Sequence, residues 1–302
     1  MRICILGAGQ WGRCVAALLE EKGYDVEFRH HTDRRWPQPL DALLLALPVQ
    51  HFRQTLVRFP PPACPILSLA KGLELPEALR PSEIVRQVWG ENTSVGALSG
   101  PNFASEIAQR LPTAAVVAAE REEVSLLFQR ILHCHRYRVY RSTDLIGVEL
   151  AGALKNVYAI AGGICVGLGL GDNALASLLT RSLAEMTRLG RRLGARPATF
   201  RGLAGVGDLF LTGTSDQSRN RRLGKLVAQG LPVDLALQRI GSVVEGYPTT
   251  KSVVRAARFE NVRKPIATEV YQILYEGKPP KAALSQLVEP IPEQEEEEFG
   301  ES

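Results

Sequence analysis

The 302-residue sequence is poor in aromatic residues and in cysteine. Aromatic residues make up 6% of the chain and do not interleave with basic runs, which argues against a surface that stacks nucleic-acid bases. The cysteines are widely spaced and form no CxxC pair: Cys4, Cys14, Cys64, Cys134 and Cys165. An odd number with this spacing predicts reduced, mostly buried thiols, without a disulfide framework or a metal site.

The sequence also lacks a recognisable signal peptide, because residues 2–6 (RICIL) already have the pattern of a strand. Together with reduced thiols, this predicts a cytoplasmic protein. One apolar segment, residues 145–170, is as long as a membrane span. It contains two ionisable residues, Glu149 and Lys155, and the chain has no second segment like it. We therefore interpret it as a buried core helix and not as a membrane anchor.

Acidic residues are concentrated at the C-terminal end of the chain. Residues 289–302 contain seven Glu and no Lys or Arg, which leaves 36 basic and 25 acidic residues in the remainder. The acidic, proline-flanked tail 289–302 is predicted to be disordered. The basic surplus of the remainder suits an anionic ligand, and the scarcity of aromatics favours small phosphates over nucleic acid.

The first thirty residues have the pattern of a dinucleotide-binding unit. Strand 2–6 is followed by the glycine loop GAGQWG (7–12), a helical pattern to Lys22 and a second strand over 25–30. In such a loop the first glycine makes a tight turn, the second admits the pyrophosphate, and the third lets the helix pack on the strand. These positions are Gly7, Gly9 and Gly12. The context predicts a Rossmann-like domain.

Cations dominate the end of the second strand, where NAD-specific proteins usually have an acid. Residues 28–35 read FRHHTDRR, and His31, Arg34 and Arg35 suit the 2′-phosphate of NADPH. NADPH is therefore expected to be accepted alongside NADH. The alternative is a solvated basic loop with no ligand.

The connection after the second strand is short. About eleven residues, including Pro37 and Pro39, precede the next apolar run, whereas a crossover between parallel strands normally needs a dozen or more residues and a helix. The domain is therefore predicted to be shortened at this point.

Further strand patterns follow, and then only helical ones. The strands are predicted over 42–48, 65–70, 94–99, 113–119 and 137–142, with helices to residue 59 and over 122–133. Helices alone are predicted over 145–170, 173–193, 219–229, 232–240, 249–259 and 265–275. The fold class is thus an α/β Rossmann-like domain, residues 1–142, followed by an all-α domain, residues 143–288. Ligands bind beyond the carboxyl ends of strands, where Lys71 and residues 100–102 lie.

The helical part has charged residues at two unusual positions, one inside an apolar helix and one at the start of a helix. Lys155 has no carboxylate three or four positions away in its apolar helix, so it is either a functional lysine or one whose ammonium reaches water. The glycine-rich stretch 202–214 contains one acid, Asp208, and precedes SRNRR (218–222). A helix beginning near Gln217 would favour a bound anion at its N-terminus; an exposed basic helix start is an equal alternative.

Longer motifs resemble those of the bacterial-type NAD(P)-dependent glycerol-3-phosphate dehydrogenases, within the 6-phosphogluconate-dehydrogenase-like group. In chain order they are GAGQWG (7–12), AKGLE (70–74), SGPNFASE (99–106), LPTA (111–114), GVELAGALKNVYAIAGG (147–163), LLTRSLAEMTRLG (178–190), GLAGVGDLFLT (202–212), SRNRRLG (218–224) and VVEGYPTTK (243–251). The resemblance implies an oxidoreductase that uses NADPH or NADH to reduce dihydroxyacetone phosphate, reversibly, to sn-glycerol 3-phosphate for phospholipid biosynthesis.

The resemblance also implies roles for single residues. Lys155 matches the proton donor and acceptor, Lys71 the second active-site lysine, and Asp208 the acid that orients Lys155 or the substrate. Substrate-binding positions are matched by Lys71, Gly100, Asn102, Lys155, Asp208, Ser218, Arg219 and Asn220, with Arg219 suited to the phosphate. The residues predicted to bind the cofactor are those of the glycine loop, the cations of the strand exit, and Gln10, Trp11, Lys71, Ala104, Arg219, Val243 and Glu245.

One departure from the family is large. Its members usually have a few dozen residues, including a helix, after the second strand, and most of these are missing here. The loss leaves the catalytic set intact but affects the adenosine half of the cofactor site. Two alternatives stay open: a related dehydrogenase of another phosphorylated or hydroxy-acid substrate, and a non-catalytic nucleotide-binding regulator. The expected partner is a small phosphorylated substrate, without nucleic acid or stable membrane insertion; a homodimer is open.

Overall fold

A computed structural model describes residues 1–283. The predicted acidic tail, residues 289–302, and the last residues of the predicted helical domain lie outside this range. The N-terminal half of the described chain contains all the strands, and the half after residue 144 is helical, so the predicted fold class is confirmed. The division between residues 142 and 143 as a domain boundary stays a prediction.

Seven strands form one sheet, in the order β2-β1-β3-β4-β5-β6-β7. They are β1 Arg2–Leu6, β2 Asp25–Arg29, β3 Ala42–Leu45, β4 Ile66–Ser68, β5 Val95–Ser99, β6 Thr113–Ala119 and β7 Tyr137–Ser142. Neighbouring strands pair in parallel, except that β5 and β6 are antiparallel. The carboxyl ends of β1 to β5 therefore share one edge of the sheet, and the loops that follow them meet there.

The helices of the sheet half are α1 Gln10–Glu21, α2 Phe52–Leu56 after a 3-10 turn at Val49–His51, α3 Pro81–Trp89, α4 Ala104–Ala108 and α5 Glu122–Leu132. Helices α1 and α5 pack on one face of the sheet and α2 and α3 on the other, while α4 buries none of its residues. The sequence reading missed α3 and α4. Helix α3 has a readable signal, since Pro81 is its first residue and Glu83 accepts a hydrogen bond from the backbone N–H of Arg80.

Residues 30–41 connect β2 to β3 without a helix, as the sequence predicts. This segment runs from the carboxyl edge back to the amino edge, where the N–H of Asp41 bonds to the carbonyl of Arg2. Trp36 packs against the face of the sheet that a helix after β2 would otherwise cover, and it is 7% exposed. Its ring stacks on Phe59 with centroids 4.2 Å apart, and its Nε1 donates to the carbonyl of Pro60 at 2.8 Å. A single indole thus covers apolar strand residues that a crossover helix normally covers.

The helical part is built around α6, Leu145–Gly167, which is buried along most of its length. The other helices are α7 Gly171–Arg192, α8 Pro197–Phe200, α9 Asp208–Thr214 after a π-helical turn at Leu203–Gly207, α10 Arg219–Ala228, α11 Val233–Ile240, α12 Gly246–Arg255 and α13 Pro265–Tyr275. Within residues 1–283, α6 is the one helix long and apolar enough to cross a bilayer, and it is buried as a core helix is.

Glycines let α6 approach its neighbours closely. A Cβ atom on Gly163 would lie 2.0 Å from the carbonyl oxygen of Arg221, and one on Gly224 would lie 2.0 Å from that of Ile160, so α6 and α10 touch along their backbones. A Cβ on Gly152 would lie 2.6 Å from Oγ of Ser99 at the end of β5. These contacts bring the middle of α6 to the carboxyl edge of the sheet and to the first turn of α10.

Glu149 joins α6 to the sheet half of the chain. Its carboxylate accepts hydrogen bonds from Nη1 of Arg80 at 2.6 Å and from N and Oγ of Ser82 at 2.7 and 2.6 Å. Burial raises the pKa of Glu149, and the charge of Arg80 opposes this shift. One of the two ionisable residues that argued against a membrane anchor therefore has a structural partner.

Several predicted helix bounds shift by a few residues. The helix predicted over 249–259 begins at Gly246 and ends at Arg255, and a 3-10 turn, Ala257–Phe259, follows it. The helix predicted over 219–229 begins at Arg219, and not near Gln217 as the anion argument assumed, because Oγ of Ser218 accepts from the N–H of Arg221 as its N-cap. These differences concern only the helix ends, and all the predicted site residues lie within the described residues 1–283.

We predict that Trp36→Ala lowers the free energy of unfolding by about 3–5 kcal/mol, the usual cost of removing a buried large aromatic. The loss should appear as a lower midpoint in urea unfolding. Val57→Ala, at a side chain 62% exposed beside the same cluster, is the matched control and should change the midpoint little. Equal midpoints for wild type and Trp36→Ala would show that the short connection does not depend on this ring.

Candidate active site

A buried carboxylate between two lysines forms the centre of the site. Asp208, the first residue of α9, is 1% exposed, and its Oδ1 accepts from Nζ of Lys155 at 2.8 Å. Its Oδ2 accepts from Nζ of Lys71 at 2.7 Å. The counter-charge of Lys155 thus comes from another helix, 53 residues further along the chain. The ammonium of Lys155 does not reach water, since this residue is 5% exposed.

Lys71 also holds the loop after β5. Its Nζ donates to the carbonyl of Gly100 at 2.8 Å and to Oδ1 of Asn102 at 2.7 Å. With the bond to Asp208, Lys71 uses the three N–H donors of an ammonium. The Nζ atom of Lys71 thereby joins the loops after β4 and β5 to the helical half of the chain.

Burial controls the protonation of this cluster. Burial lowers the pKa of Lys155 to about 8, and the nearby charge of Asp208 limits the shift. For Asp208, burial alone would raise the pKa, but the two ammonium groups outweigh it and hold the pKa below its usual range. The cluster therefore combines an ionised carboxylate, a partly exposed ammonium and a buried ammonium that can give up its proton near neutral pH.

A chain of side-chain amides connects the lysines to the first turn of α10. Nδ2 of Asn156 donates to the carbonyl of Lys71 at 2.8 Å, and its Oδ1 accepts from Nδ2 of Asn220 at 2.8 Å. Oδ1 of Asn220 in turn accepts from the N–H of Gly246, at the start of α12. The sequence reading missed Asn156; its signal is a second polar residue next to Lys155 in an otherwise apolar helix.

Arg219 is the cation that the structure leaves available at this site. Its charge is close enough to contribute to lowering the pKa of Lys155. This residue is exposed and forms no salt bridge within residues 1–283, although the charge of Glu245 is close enough to act on its guanidinium. Ser218, next to it, is buried and caps α10. An exposed guanidinium at a helix N-terminus, beside a buried ammonium, is suited to an anion such as a phosphate.

The glycine loop has the geometry that a pyrophosphate needs. Gly7 has φ of 110°, which favours glycine, and a Cβ on Gly12 would lie 2.3 Å from the carbonyl oxygen of Gly7. The N-cap of α1 is Gly9, whose missing side chain leaves the first amides of the helix accessible, including those at Gln10 and Trp11. These residues fit a dinucleotide, because open amides at a helix N-terminus bind phosphate.

Three further residues predicted to contact the cofactor lie in different surroundings. Ala104 begins α4, and Val243 is 45% exposed before α12. Oε1 of Glu245 accepts from the N–H of Val49 at 3.3 Å, beyond the end of β3. Its Oε2 is buried without a hydrogen-bond partner in the described part of the chain, and burial raises the pKa of Glu245 to about 7. This oxygen faces Gly72, where a Cβ would approach it to 2.7 Å.

The predicted cations at the strand exit lie apart from the lysine cluster. His31, Arg34 and Arg35 are exposed, and Nη1 of Arg34 donates to the carbonyls of Thr32 and Asp33, both at 3.0 Å. They lie beyond β2 on the same sheet edge as the glycine loop, since the N–H of Gly7 donates to the carbonyl of Arg29. The structure thus places the lysine cluster and the cations beyond β2 in separate regions of the carboxyl edge of the sheet.

Two sequence profiles cover most of the chain. The N-terminal profile of NAD-dependent glycerol-3-phosphate dehydrogenase matches residues 37–125, and the C-terminal profile of the same family matches residues 144–285. The chain belongs to this family. Glycerol-3-phosphate dehydrogenase [NAD(P)+] of Colwellia psychrerythraea is 40% identical, over 95% of this chain and 96% of that protein, and that of Thermotoga sp. strain RQ2 is 40% identical, over 95% and 97%.

Solved structures agree with this membership. Glycerol-3-phosphate dehydrogenase from Coxiella burnetii has a TM-score of 0.89 at 34% identity, over 96% of this chain and 99% of that one. A D-mandelate dehydrogenase has a TM-score of 0.57 at 10% identity, which shows a shared fold alone. The alignment to the Colwellia relative extends over 322 residues, more than the 302 of this chain, so that member of the family contains segments that are missing here.

The structure brings the predicted catalytic set, Lys155, Asp208 and Lys71, into direct contact, and connects it with Gly100, Asn102 and Asn220. Arg219 lies beside this set, and Glu245 lies against the loop of Lys71. His31, Arg34 and Arg35 do not contact the set, which agrees with their expected place at the other end of a dinucleotide. The roles of these residues in binding and catalysis stay predictions.

We predict that Asp208→Asn lowers the free energy of unfolding by about 3–5 kcal/mol, because two ammonium groups lose their shared counter-charge. Lys155→Met should cost far less, since it replaces the buried ammonium by an apolar group of similar length and leaves Asp208 paired with Lys71. Urea unfolding at pH 7 measures both.

The double variant Asp208→Asn/Lys155→Met is the control for this interpretation. It should be more stable than Asp208→Asn alone, because one of the two uncompensated charges is gone. If the double variant is less stable than either single variant, the carboxylate stabilises the fold by packing or hydrogen bonding and not as a counter-charge.

Proposed function

We propose that this chain reduces dihydroxyacetone phosphate to sn-glycerol 3-phosphate with NADPH or NADH, reversibly, in the cytoplasm, and so supplies glycerophospholipid biosynthesis. Its relatives carry the name of this activity. The observation that carries the proposal is the buried Lys155–Asp208–Lys71 cluster beside Arg219, an exposed cation that forms no salt bridge within residues 1–283. One site thus contains Lys155, a proton donor whose pKa is lowered by burial, and Arg219, a cation that can bind a phosphate.

Lys155 acts as the general acid in the reducing direction. A nicotinamide cofactor, when bound at the glycine loop, would supply the hydride for the carbonyl carbon, and negative charge would develop on the carbonyl oxygen. Lys155 donates its proton to that oxygen, so that hydride and proton together give the alcohol. In the reverse direction the neutral amine accepts the proton. A pKa of about 8 lets Lys155 serve in both directions near neutral pH.

The neighbouring residues position the substrate and maintain the charge of the site. Lys71, whose three N–H donors are used within the protein, contributes the positive charge of a second ammonium near the developing oxyanion. Through Asn102 and Gly100 it also orders the loop after β5. Asp208 holds both ammonium groups in place. Arg219, at the first turn of α10, binds the phosphate, assisted by Asn220 and the capped backbone at Ser218.

The glycine loop and the strand exit hold the cofactor. Gly7, Gly9 and Gly12 leave space for the pyrophosphate against Gln10 and Trp11, and the cations beyond β2 face the ribose. Glu245, Val243 and Ala104 contribute to the nicotinamide half. An intact lysine cluster supports catalysis over a purely regulatory role, because a non-catalytic relative gains nothing from keeping a buried ammonium. A homodimer remains a prediction that light scattering can test.

The proposal predicts opposite pH dependences for the two directions. Consumption of NADPH with dihydroxyacetone phosphate requires protonated Lys155, so kcat should fall about tenfold per pH unit above a pH near 8. Oxidation of sn-glycerol 3-phosphate requires the neutral amine, so its kcat should rise with pH up to the same value. Both profiles are measured by absorbance at saturating substrate.

Lys155→Met is the control for these profiles. It should lower kcat about 10²–10⁴-fold in both directions, while NADPH still binds in a fluorescence titration. Turnover above a tenth of wild type in this variant would exclude Lys155 as the proton donor. Absence of activity in the wild-type protein, with either cofactor, would contradict the proposed reaction itself.

Arg219→Ala should weaken recognition of the phosphate. We expect kcat/KM for dihydroxyacetone phosphate to fall by a factor that corresponds to a loss of about 2–4 kcal/mol in transition-state stabilisation. The kcat/KM for unphosphorylated dihydroxyacetone, a poor substrate throughout, should change far less. Arg222→Ala, an exposed cation on the same turn, is the matched control and should affect both substrates little. Equal losses on the two substrates in Arg219→Ala would assign Arg219 to structure or to the cofactor.

A further inference from the structure

Two guanidinium groups converge on one backbone carbonyl at the exit of β2. Nη1 of Arg34 lies 3.5 Å from the carbonyl oxygen of His31, and Nη1 of Arg58 lies 3.4 Å from the same oxygen. Arg34 belongs to the short connection after β2, whereas Arg58 follows α2 and is 24 to 27 residues further along the chain. Both side chains are exposed.

Neither guanidinium has a carboxylate partner in the described chain. Arg34 donates only to backbone carbonyls, those of His31, Thr32 and Asp33, and Arg58 only to that of His31. The acid of this loop, Asp33, is engaged elsewhere, since its Oδ2 accepts from the N–H of His30 at 2.7 Å. Two like charges that share a neutral oxygen repel each other, and a bound anion between them would relieve this repulsion.

The short connection explains why Arg58 is in this position. Phe59, the next residue, stacks on Trp36 with ring centroids 4.2 Å apart, and Trp36 is two residues beyond Arg34. This stacking holds the end of α2 against residues 30–36. In the absence of a helix after β2, the end of α2 therefore borders the exit of β2 directly. Arg58, two residues beyond α2, can then face a ligand bound at the exit of β2.

The site has the position of a ribose phosphate. The N–H of Gly7 donates to the carbonyl of Arg29 at 3.0 Å, so the pyrophosphate loop lies beside the end of β2, and His31 is two residues beyond that end. In a dinucleotide bound at such a loop, the adenosine ribose lies at the end of the second strand. The 2′-substituent of the ribose is therefore the group of a bound dinucleotide that would lie nearest to this pair of cations.

We propose that Arg58, together with Arg34, binds the 2′-phosphate of NADPH and determines the preference of this chain for NADPH over NADH. The inference rests on the proposed function for the identity of the cofactor, and it concerns a residue outside the predicted cofactor set. Arg58 takes the place of contacts that a longer connection after β2 would supply.

The test compares ligands that differ in the 2′-phosphate alone. Adenosine 2′,5′-bisphosphate and 5′-AMP are titrated by calorimetry against the full chain and against Arg58→Gln, and NADPH and NADH are titrated by fluorescence. In Arg58→Gln we expect binding of the bisphosphate and of NADPH to weaken about 10-fold or more, because a charge-assisted contact is lost. Binding of 5′-AMP and NADH should change less than about 2-fold.

Arg239→Gln is the matched control. Arg239 is an exposed cation on α11, and its substitution removes the same charge far from the strand exit. It should leave all four affinities as in wild type. Raising the salt concentration should weaken NADPH binding more than NADH binding in wild type, and this difference should shrink in Arg58→Gln, since fewer charges face the phosphate.

Two results would overturn the inference. Equal weakening for ligands with and without the 2′-phosphate would mean that Arg58 stacks on the adenine or supports the loop, and unchanged binding of all four would mean that Arg58 faces solvent. These outcomes are separate from failure of the proposed function. A protein that binds NADPH through Arg58 but does not turn over dihydroxyacetone phosphate would retain this inference and lose the proposed reaction.

Discussion

The site depends on one carboxylate that neutralises two ammonium groups. Without Asp208, the buried Lys155 would have to lose its proton or reach water, and Lys71 would face a like charge. With it, Lys155 keeps a proton that is easily given up, because burial and Asp208 act on its pKa in opposite directions. The same carboxylate joins α9 of the helical half to the loop after β4, so charge balance and architecture have a common origin.

Close backbone packing makes this arrangement geometrically possible. Gly163 and Gly224 let α6 and α10 touch, and Gly152 lets α6 reach the end of β5. As a result, Lys155 on α6 lies close enough to Arg219 on α10 and to Lys71 beyond β4 for both charges to act on its ammonium. Glycine in helices costs conformational entropy, and here the cost is offset by contacts that a side chain would prevent. The small residues that made α6 resemble a membrane span are the ones that admit its neighbours.

The surroundings of the exit of β2 are determined by aromatic packing and not by a shared counter-charge. Removing the crossover helix after β2 exposes a face of the sheet, and Trp36 covers it by packing on Phe59. The same packing brings the end of α2 to the strand exit, where Arg58 joins Arg34 at the carbonyl of His31. The short connection after β2 thus determines both the packing and the grouping of cations at the exit of this strand.

The sequence by itself determined the periodic and motif-based features. Short apolar or β-rich runs predicted the seven strands, and helical patterns predicted the long helices. The motifs around Lys155, Lys71 and Asp208 indicated the family. These features depend on residues that are close together in the chain. Helix α4, which spans five residues and buries none of them, has no such periodicity. Only the tertiary structure decided which charges meet: the Asp208–Lys155 pair, the Arg80–Glu149 pair and the convergence of Arg34 with Arg58 join residues far apart in the chain, and their distances depend on how the helices and the sheet pack.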